Sequence, residues 1–246
     1  MIVMKFGGTS VGGAEQIKTV ADIVKSYLNK KPVVVVSAVT KITDKLIELA
    51  NTVSEGKGNE VLDSIKKIHY DIMEKLSLDK SLIIQDIEEL SKMISKIKIS
   101  KRVDNKLLDS IQSFGERMLS KIIAAQLNKI NVKAQAFNSY DLGFVTTADF
   151  GNAEPLEKAF DSLNDNIKKL NVVPVITGFI GKTEQGEITT LGRGGSDYSA
   201  AVIGGAIDAS EIQIWTDVDG IKSADPKIVS NAKTLEKVSF AEASEL

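Results

Sequence analysis

The chain opens on an apolar run, Ile2 to Phe6, of strand length and followed at once by glycines. Over residues 14–28 apolar side chains return at steps of three and four (Ile17, Val20, Ala21, Val24, Leu28), which predicts an amphipathic helix ending near Asn29. "PVVVVSA", residues 32–38, is β-branched and apolar on both faces, the pattern of a strand buried in a parallel sheet. Strand, helix and strand thus follow one another as a crossover unit.

From Thr43 to about Lys101 lysine, glutamate, isoleucine and leucine take over with helical spacing, interrupted by "SEGKGNE" and near "LSLDK". Two or three helices are expected there, as an insertion. A single helix is predicted over residues 105–128, with Leu108, Ile111, Met118, Ile122 and Ala125 on one face and "SFGERM" along it. The alternation then resumes with strand "VKAQAF", a helix over 155–170, strand "VVPVITG", a helix over 198–207 and strand "EIQIWTD". Helices alternating with buried strands predict an α/β fold with a mainly parallel sheet covered on both faces.

Composition narrows the possibilities. A chain of 246 residues, 43% of them apolar, supplies a real core without staples. Its 31 basic and 33 acidic residues nearly cancel, which gives no electrostatic case for nucleic acid or an anionic membrane. The lysines of residues 92–106 fit a solvated helix face, because aromatic stacking partners are missing. There is no cysteine, so disulfides, thiolate nucleophiles and Cys-bound metals are excluded. Neither a signal peptide pattern nor an apolar run of roughly 20 residues is present, and a soluble cytoplasmic protein is expected. The lone His69, within the insertion, reads as a surface or half-buried residue instead of a base.

In parallel sheets ligands bind beyond the carboxyl ends of the strands, so residues just after each strand carry the candidate chemistry. "KFGGTS", residues 5–10, combines Lys5 with Gly7 and Gly8, whose missing β-carbons let backbone amides approach a phosphate, aided by the positive end of the next helix. A tight turn beside a solvated lysine would look the same. In "TTLGRGGSDYSAA", residues 189–201, Asp197 could be a simple helix cap. Arg193, set between glycines with little to pack on, suits the two-pronged grip of a carboxylate. "SFGER", residues 113–117, places a glycine inside a helix at a cost of about 1 kcal/mol, so Gly115 implies close approach of a backbone or ligand. "WTDVDGIKSADP", residues 215–226, is a strand end that delivers Thr216 and Asp217 to the same sheet edge.

Together with "VVSA" at 35–38 and "TGFIG" at 177–181, these segments resemble in order and spacing the catalytic domain of aspartate kinases, within the amino acid kinase family. The resemblance spans essentially the whole chain. It implies a three-layer αβα sandwich around an open, mainly parallel sheet of about eight strands. It implies an amino-acid-substrate lobe at 1–177, with the helical insertion at about 43–105, and a nucleotide-binding lobe at 178–246. The implied reaction moves the γ-phosphoryl group of ATP, with Mg²⁺, onto the side-chain carboxylate of L-aspartate, giving 4-phospho-L-aspartate and ADP, at the head of lysine, threonine and methionine synthesis.

By the same resemblance Lys5, Gly7, Gly8 and Thr9 hold the transferring phosphate, and Ser37 lies beside the reacting groups. Thr43 helps bind aspartate, Glu116 accepts its α-ammonium group, and Arg193 grips a carboxylate with Ser196 and Phe179 completing the pocket. Asp197 orients the groups around the phosphate. Thr216, Asp217, Lys222 and Lys227 serve the nucleotide, the last two standing where tyrosine and arginine are common in the family. The resemblance further implies a homodimer. After "AEASEL" such enzymes usually continue into a lysine-bearing segment and two regulatory ACT domains, so a portion of a longer enzyme is expected. A silent nucleotide-binding or assembly module, or a kinase for another small acid, are the alternatives.

Overall fold

A computed structural model describes residues 1–53, 58–218, 220–224, 228–229 and 231–243. The chain divides into two compact units, Met1–Trp215 and Thr216–Leu246.

The first unit is built on five parallel strands in the order β3 (Ala134–Phe137), β4 (Val173–Thr177), β2 (Pro32–Val36), β1 (Ile2–Phe6) and β7 (Glu211–Trp215). β1 and β2 pair residue for residue, Ile2 with Pro32 through Phe6 with Val36. Both strands are buried throughout, which accounts for their lack of alternation. On one face Ile2, Met4, Phe6, Val34 and Val36 meet helices α1 (Ala14–Ser26), α2 (Ile42–Thr52), α3 (Gly58–Lys75), α4 (Ile84–Ser100) and α6 (Phe114–Lys129). On the other, Val3, Val33, Val35 and Ile176 meet α7 (Lys158–Lys168) and α8 (Gly195–Ala206). The result is a three-layer αβα sandwich. Removing Val33, Val34, Val35 and Val36 fully from water is worth about 1.5–3 kcal/mol apiece.

Three expectations are corrected. The central sheet has five strands among the described residues, not about eight. The remaining strands, β5 (Ile180–Lys182) and β6 (Ile188–Thr190), form a separate antiparallel hairpin, their ladder bonds being used on each other from Ile180–Thr190 to Lys182–Ile188. The predicted helix over 105–128 is two helices, α5 (Asn105–Gln112) and α6, meeting at Ser113. There the Ser113 hydroxyl donates to the Ser110 carbonyl at 2.7 Å, a side-chain bond that competes with the helix ladder. His69 is fully buried, on the inner stripe of α3 with Ile65, Ile72 and Met73. Its Nδ1 lies 2.8 Å from the Ile65 carbonyl, and desolvation holds its pKa below the ordinary value.

The second unit is loop-rich. Lys222 and Thr234 form an antiparallel bridge, flanked by Leu235 N–H donating to the Ile221 carbonyl at 2.8 Å. Helix α9 (Phe240–Ala243) is closed by a capping box: Ser239 N–H donates to Glu242 Oε2 at 2.7 Å and Glu242 N–H to Ser239 Oγ at 3.2 Å.

Candidate functional site

The alternation of β1 decides where its lysine goes. Ile2, Met4 and Phe6 face the larger helical layer, so Lys5 faces α8. There its ammonium lies 2.7 Å from Asp197 Oδ1, in the first turn of α8. Lys5 is buried and the Asp197 side chain is half exposed. Gly194, at φ 75°, makes the left-handed turn that starts α8 three residues earlier than its apolar pattern predicts.

Backbone bonds extend the ladder past the strand ends: Ser37 N–H donates to the Phe6 carbonyl at 3.3 Å and Gly178 N–H to the Val36 carbonyl at 2.9 Å. The loops after β1, β2 and β4 therefore gather at one sheet edge. The turn after β1 is pinned to the next loop by the Thr40 hydroxyl, which donates to the Gly8 carbonyl at 2.7 Å. Gly8 has an ordinary φ of −56°; a β-carbon there would lie 3.2 Å from the Ala38 carbonyl, a tight fit that the loop after β2 would have to yield to by a few tenths of an ångström. A 3₁₀ turn, Thr9–Val11, comes next in the chain and α1 begins at Ala14, where the apolar pattern places it, so one extra turn separates the glycines from the helix end.

Glu116 enters from α6. A β-carbon on Gly115 would lie 2.7 Å from Ala38 Cβ, so the glycine is what lets α6 press against the loop after β2. Pressed there, Glu116 Oε1 accepts from Ala38 N–H at 3.0 Å, while Oε2 is buried without a hydrogen-bond partner among the described residues. Glu116 is 2% exposed, and burial pushes its carboxyl up to about 8 against the pull of backbone hydrogen bonds.

Phe179 forms the far wall at φ 67°, a left-handed backbone rare for an aromatic residue. Its N–H donates to Ser199 Oγ at 2.9 Å and its carbonyl accepts from Leu191 N–H at 2.8 Å. A β-carbon on Gly178 would fall 2.9 Å from Ser196 Cβ, which measures how closely α8 rests on the end of β4.

These pieces enclose a cleft of ≈ 350 Å³ lined by Lys5, Gly8, Ser37, Thr43, Glu116, Phe179, Ser196 and Asp197. Gly7 and Thr9 flank Gly8 in the chain, and Arg193 is exposed between Gly192 and Gly194, which also line the cleft. Thr216, Asp217 and Lys222 belong to the second unit, where the Thr216 hydroxyl donates to Asp217 Oδ1 at 3.2 Å. Lys227 lies outside the described residues.

Sequence reasoning missed Ala38, Thr40, Lys41 and Asp44, which also line the cleft. For Thr40 and Lys41 a signal was available, polar residues in the loop after a buried strand, the rule that drew attention to the other loops. Asp109 was missed as well. Its buried carboxylate accepts from Gly151 N–H at 2.9 Å, Thr190 N–H at 2.8 Å and Thr190 Oγ1 at 2.9 Å, tying α5 to the hairpin.

Chemically, one wall offers a cation, glycine turns and the positive end of a helix, a setting for an anion. The floor offers a buried carboxylate with an open oxygen, a setting for an ammonium group. Among the described residues no group of three or more His, Asp or Glu could hold a metal, and no helix is long and apolar enough to cross a membrane.

A three-layer αβα sandwich with a cleft at one edge of a parallel sheet defines an α/β domain, and the chain belongs to the amino acid kinase family, whose model matches residues 1–246. Within that family it is 41% identical to "Aspartokinase 1, chloroplastic" of Arabidopsis thaliana over 254 residues, covering 99% of this chain and 45% of that relative. It is 39% identical to "Lysine-sensitive aspartokinase 3" of Escherichia coli over 251 residues, covering 100% of this chain and 55% of the relative. The solved structure of E. coli aspartokinase III in complex with aspartate and ADP superposes with a TM-score of 0.88 at 36% identity, covering 100% of this chain and 55% of that one. The chain thus spans about half the length of the curated relatives it matches.

Proposed function

We propose that this chain is the catalytic domain of an aspartate kinase, transferring the γ-phosphoryl group of ATP to the side-chain carboxylate of L-aspartate to give 4-phospho-L-aspartate and ADP. The observation that carries this reading is the pairing, in one cleft, of the unpartnered Glu116 Oε2 with the Lys5–Asp197 pair. One receives an ammonium group, the other a phosphate. An α-amino acid acting as phosphoryl acceptor presents both.

Phosphoryl transfer asks a protein mainly to bring two anions into line and to stabilise charge on the moving group. The acceptor carboxylate, with an ordinary pKa near 3.9, is already ionised at neutral pH, so the protein need not supply a base. Glu116 takes the α-ammonium group, with Thr43, Phe179 and Ser196 around the amino acid and Arg193 gripping a carboxylate. Lys5 neutralises the transferring group beside the amides of Gly7, Gly8 and Thr9, and Ser37 lies next to the reacting atoms. Asp197 holds the Lys5 ammonium over the cleft until a phosphate replaces it; a pair with one half-exposed member is readily exchanged. Thr216, Asp217, Lys222 and Lys227 serve the nucleotide.

Mg²⁺ fits this site as a passenger of the nucleotide, because the cleft offers lone carboxylates instead of a ligand cluster and Mg²⁺ keeps several waters and phosphate oxygens. When bound it screens the phosphate charge. Residues 1–177 then form the amino-acid lobe and 178–246 the nucleotide lobe, each lending residues to the other's ligand where the two meet the transferring phosphate, in a cytoplasmic homodimer.

Incubation with ATP, Mg²⁺ and L-aspartate in hydroxylamine tests the reading, with glutamate and N-acetylglutamate in parallel. Aspartyl hydroxamate from aspartate alone is the expected product. Hydroxamate from another acid and none from aspartate overturns the assignment.

A further inference from the structure

We infer that Asp86, on α4 of the helical insertion, is a positioning residue that sets the first turn of α6 and thereby aims Glu116 into the cleft. The inference rests on Glu116 binding the ammonium group of the amino acid. Asp86 is 0% exposed and lies outside the cleft-lining set. Its Oδ1 is 3.0 Å from Arg117 Nη2 and its Oδ2 accepts from Lys121 Nζ at 2.5 Å. Arg117 and Lys121 stand four residues apart on α6, so one carboxylate engages two successive turns of that helix, Lys121 by a hydrogen bond and Arg117 by charge alone, because Oδ1 has no hydrogen-bond partner among the described residues.

Arg117 is also the residue directly after Glu116. Its Nη2 donates to Glu89 Oε2 at 2.6 Å, and its guanidinium lies 4.3 Å above the Phe114 ring. Burial is the largest single influence on the Glu89 carboxyl and would raise it, yet the Arg117 hydrogen bond and charge, joined by the Gln85 hydrogen bond and the Lys121 charge, together hold Glu89 below the ordinary range. Two acids of α4 and two bases of α6 thus close a neutral quartet. Because Asp86, the fully buried member of this partly exposed set, is the one whose charge would be least replaceable by water, the quartet fixes α6 in rotation and in height. On the opposite side, the same turn is fixed by the Gly115–Ala38 approach and by Ala38 N–H donating to Glu116 Oε1 at 3.0 Å. Held on both sides, Glu116 keeps Oε2 open.

A thermodynamic cycle on binding tests this, using calorimetric Kd for L-aspartate and, separately, for ATP with Mg²⁺. Asp86→Asn keeps the shape and removes the charge; it is expected to raise the Kd for L-aspartate about tenfold and leave that for ATP within about twofold. Glu116→Gln raises the aspartate Kd by itself, and the double variant should equal Glu116→Gln alone, because Asp86 acts only through Glu116. If Asp86→Asn multiplies the Glu116→Gln effect, weakens ATP equally or changes nothing, the inference falls and the site reading stands. If Glu116→Gln leaves the aspartate Kd unchanged, the site reading falls and takes the inference with it. Should Asp86→Asn fail to fold, Glu89→Gln, at a partly exposed position, runs the same cycle with the same deciding outcomes.

Discussion

The Lys5 ammonium and the Asp197 carboxylate meet at 2.7 Å, although 192 positions of chain separate them, one at the end of a central strand and the other in the first turn of a helix. The pair joins the first glycine turn to the second. Because Asp197 is half exposed, the pair contributes only about 0–1 kcal/mol to stability. Its importance is charge placement. Lys5→Met is expected to lower kcat by about 10²–10³-fold while shifting the unfolding midpoint little. Steady-state assay beside a denaturant melt checks it, and a large loss of stability with intact kcat would refute it.

The pH behaviour of Glu116 follows from its burial. Its carboxyl is raised from 4.5 to about 8, so the folded chain keeps a proton that the unfolded chain releases. Stability therefore falls as pH rises from about 4.5 to about 8 and levels above, and Glu116→Gln should remove that contribution. Binding of an ammonium group needs the ionised form. The Kd for L-aspartate should fall as pH rises from 6 towards 8, approaching tenfold per unit, whereas in Glu116→Gln it should be weak and nearly flat. Calorimetry across that range, with protonated-buffer controls for proton release, measures both.

Gly115 sets two magnitudes against each other. Alanine at that helical position gains about 1 kcal/mol of propensity. Its β-carbon, however, arrives 2.7 Å from Ala38 Cβ, and overpacking of that kind costs about 1–3 kcal/mol. The net expectation for Gly115→Ala is lower stability, with weaker binding of L-aspartate because Ala38 N–H moves away from Glu116. A midpoint equal to or above wild type would mean that the loop after β2 yields freely.

Arg193 is exposed, and among the described residues it has no acidic partner within ion-pair distance. Arg193→Ala should therefore leave stability within about 0.5 kcal/mol. Loss of a two-pronged charged contact should still raise the Kd for L-aspartate by at least about tenfold. Arg193→Lys, which keeps the charge and loses the planar fork, should recover only part of that affinity.

Much of the fold and the cleft was legible in the chain itself. β1, β2 and β4 announce themselves because strands buried on both faces have no polar alternation to confuse the pattern. Lys5, Glu116 and Asp197 each sit in a glycine-marked stretch that a bland turn, helix face or cap would also explain; it was the order and spacing of the stretches together that singled them out, and the structure brings all three to one cleft. The β5–β6 hairpin was not, because three-residue strands bearing lysine and threonines carry too few positions to establish a period. Nor was the burial of His69, since a polar residue at one step of an apolar stripe looks like the stripe's edge until neighbouring helices cover it. That Glu116 would have one oxygen satisfied and the other open is a fact of three dimensions: the donor is a backbone amide 78 residues away.

One last consequence comes from Phe179. Its φ of 67° costs about 1–3 kcal/mol for a side chain of that kind, and glycine there would relieve it at once. Relief would also strip the cleft of its aromatic partition, although the backbone bonds to Ser199 and Leu191 would remain. Backbone ease and ligand enclosure thus compete at a single position, and a variant that gains robustness at residue 179 should become less choosy about the width of its guest.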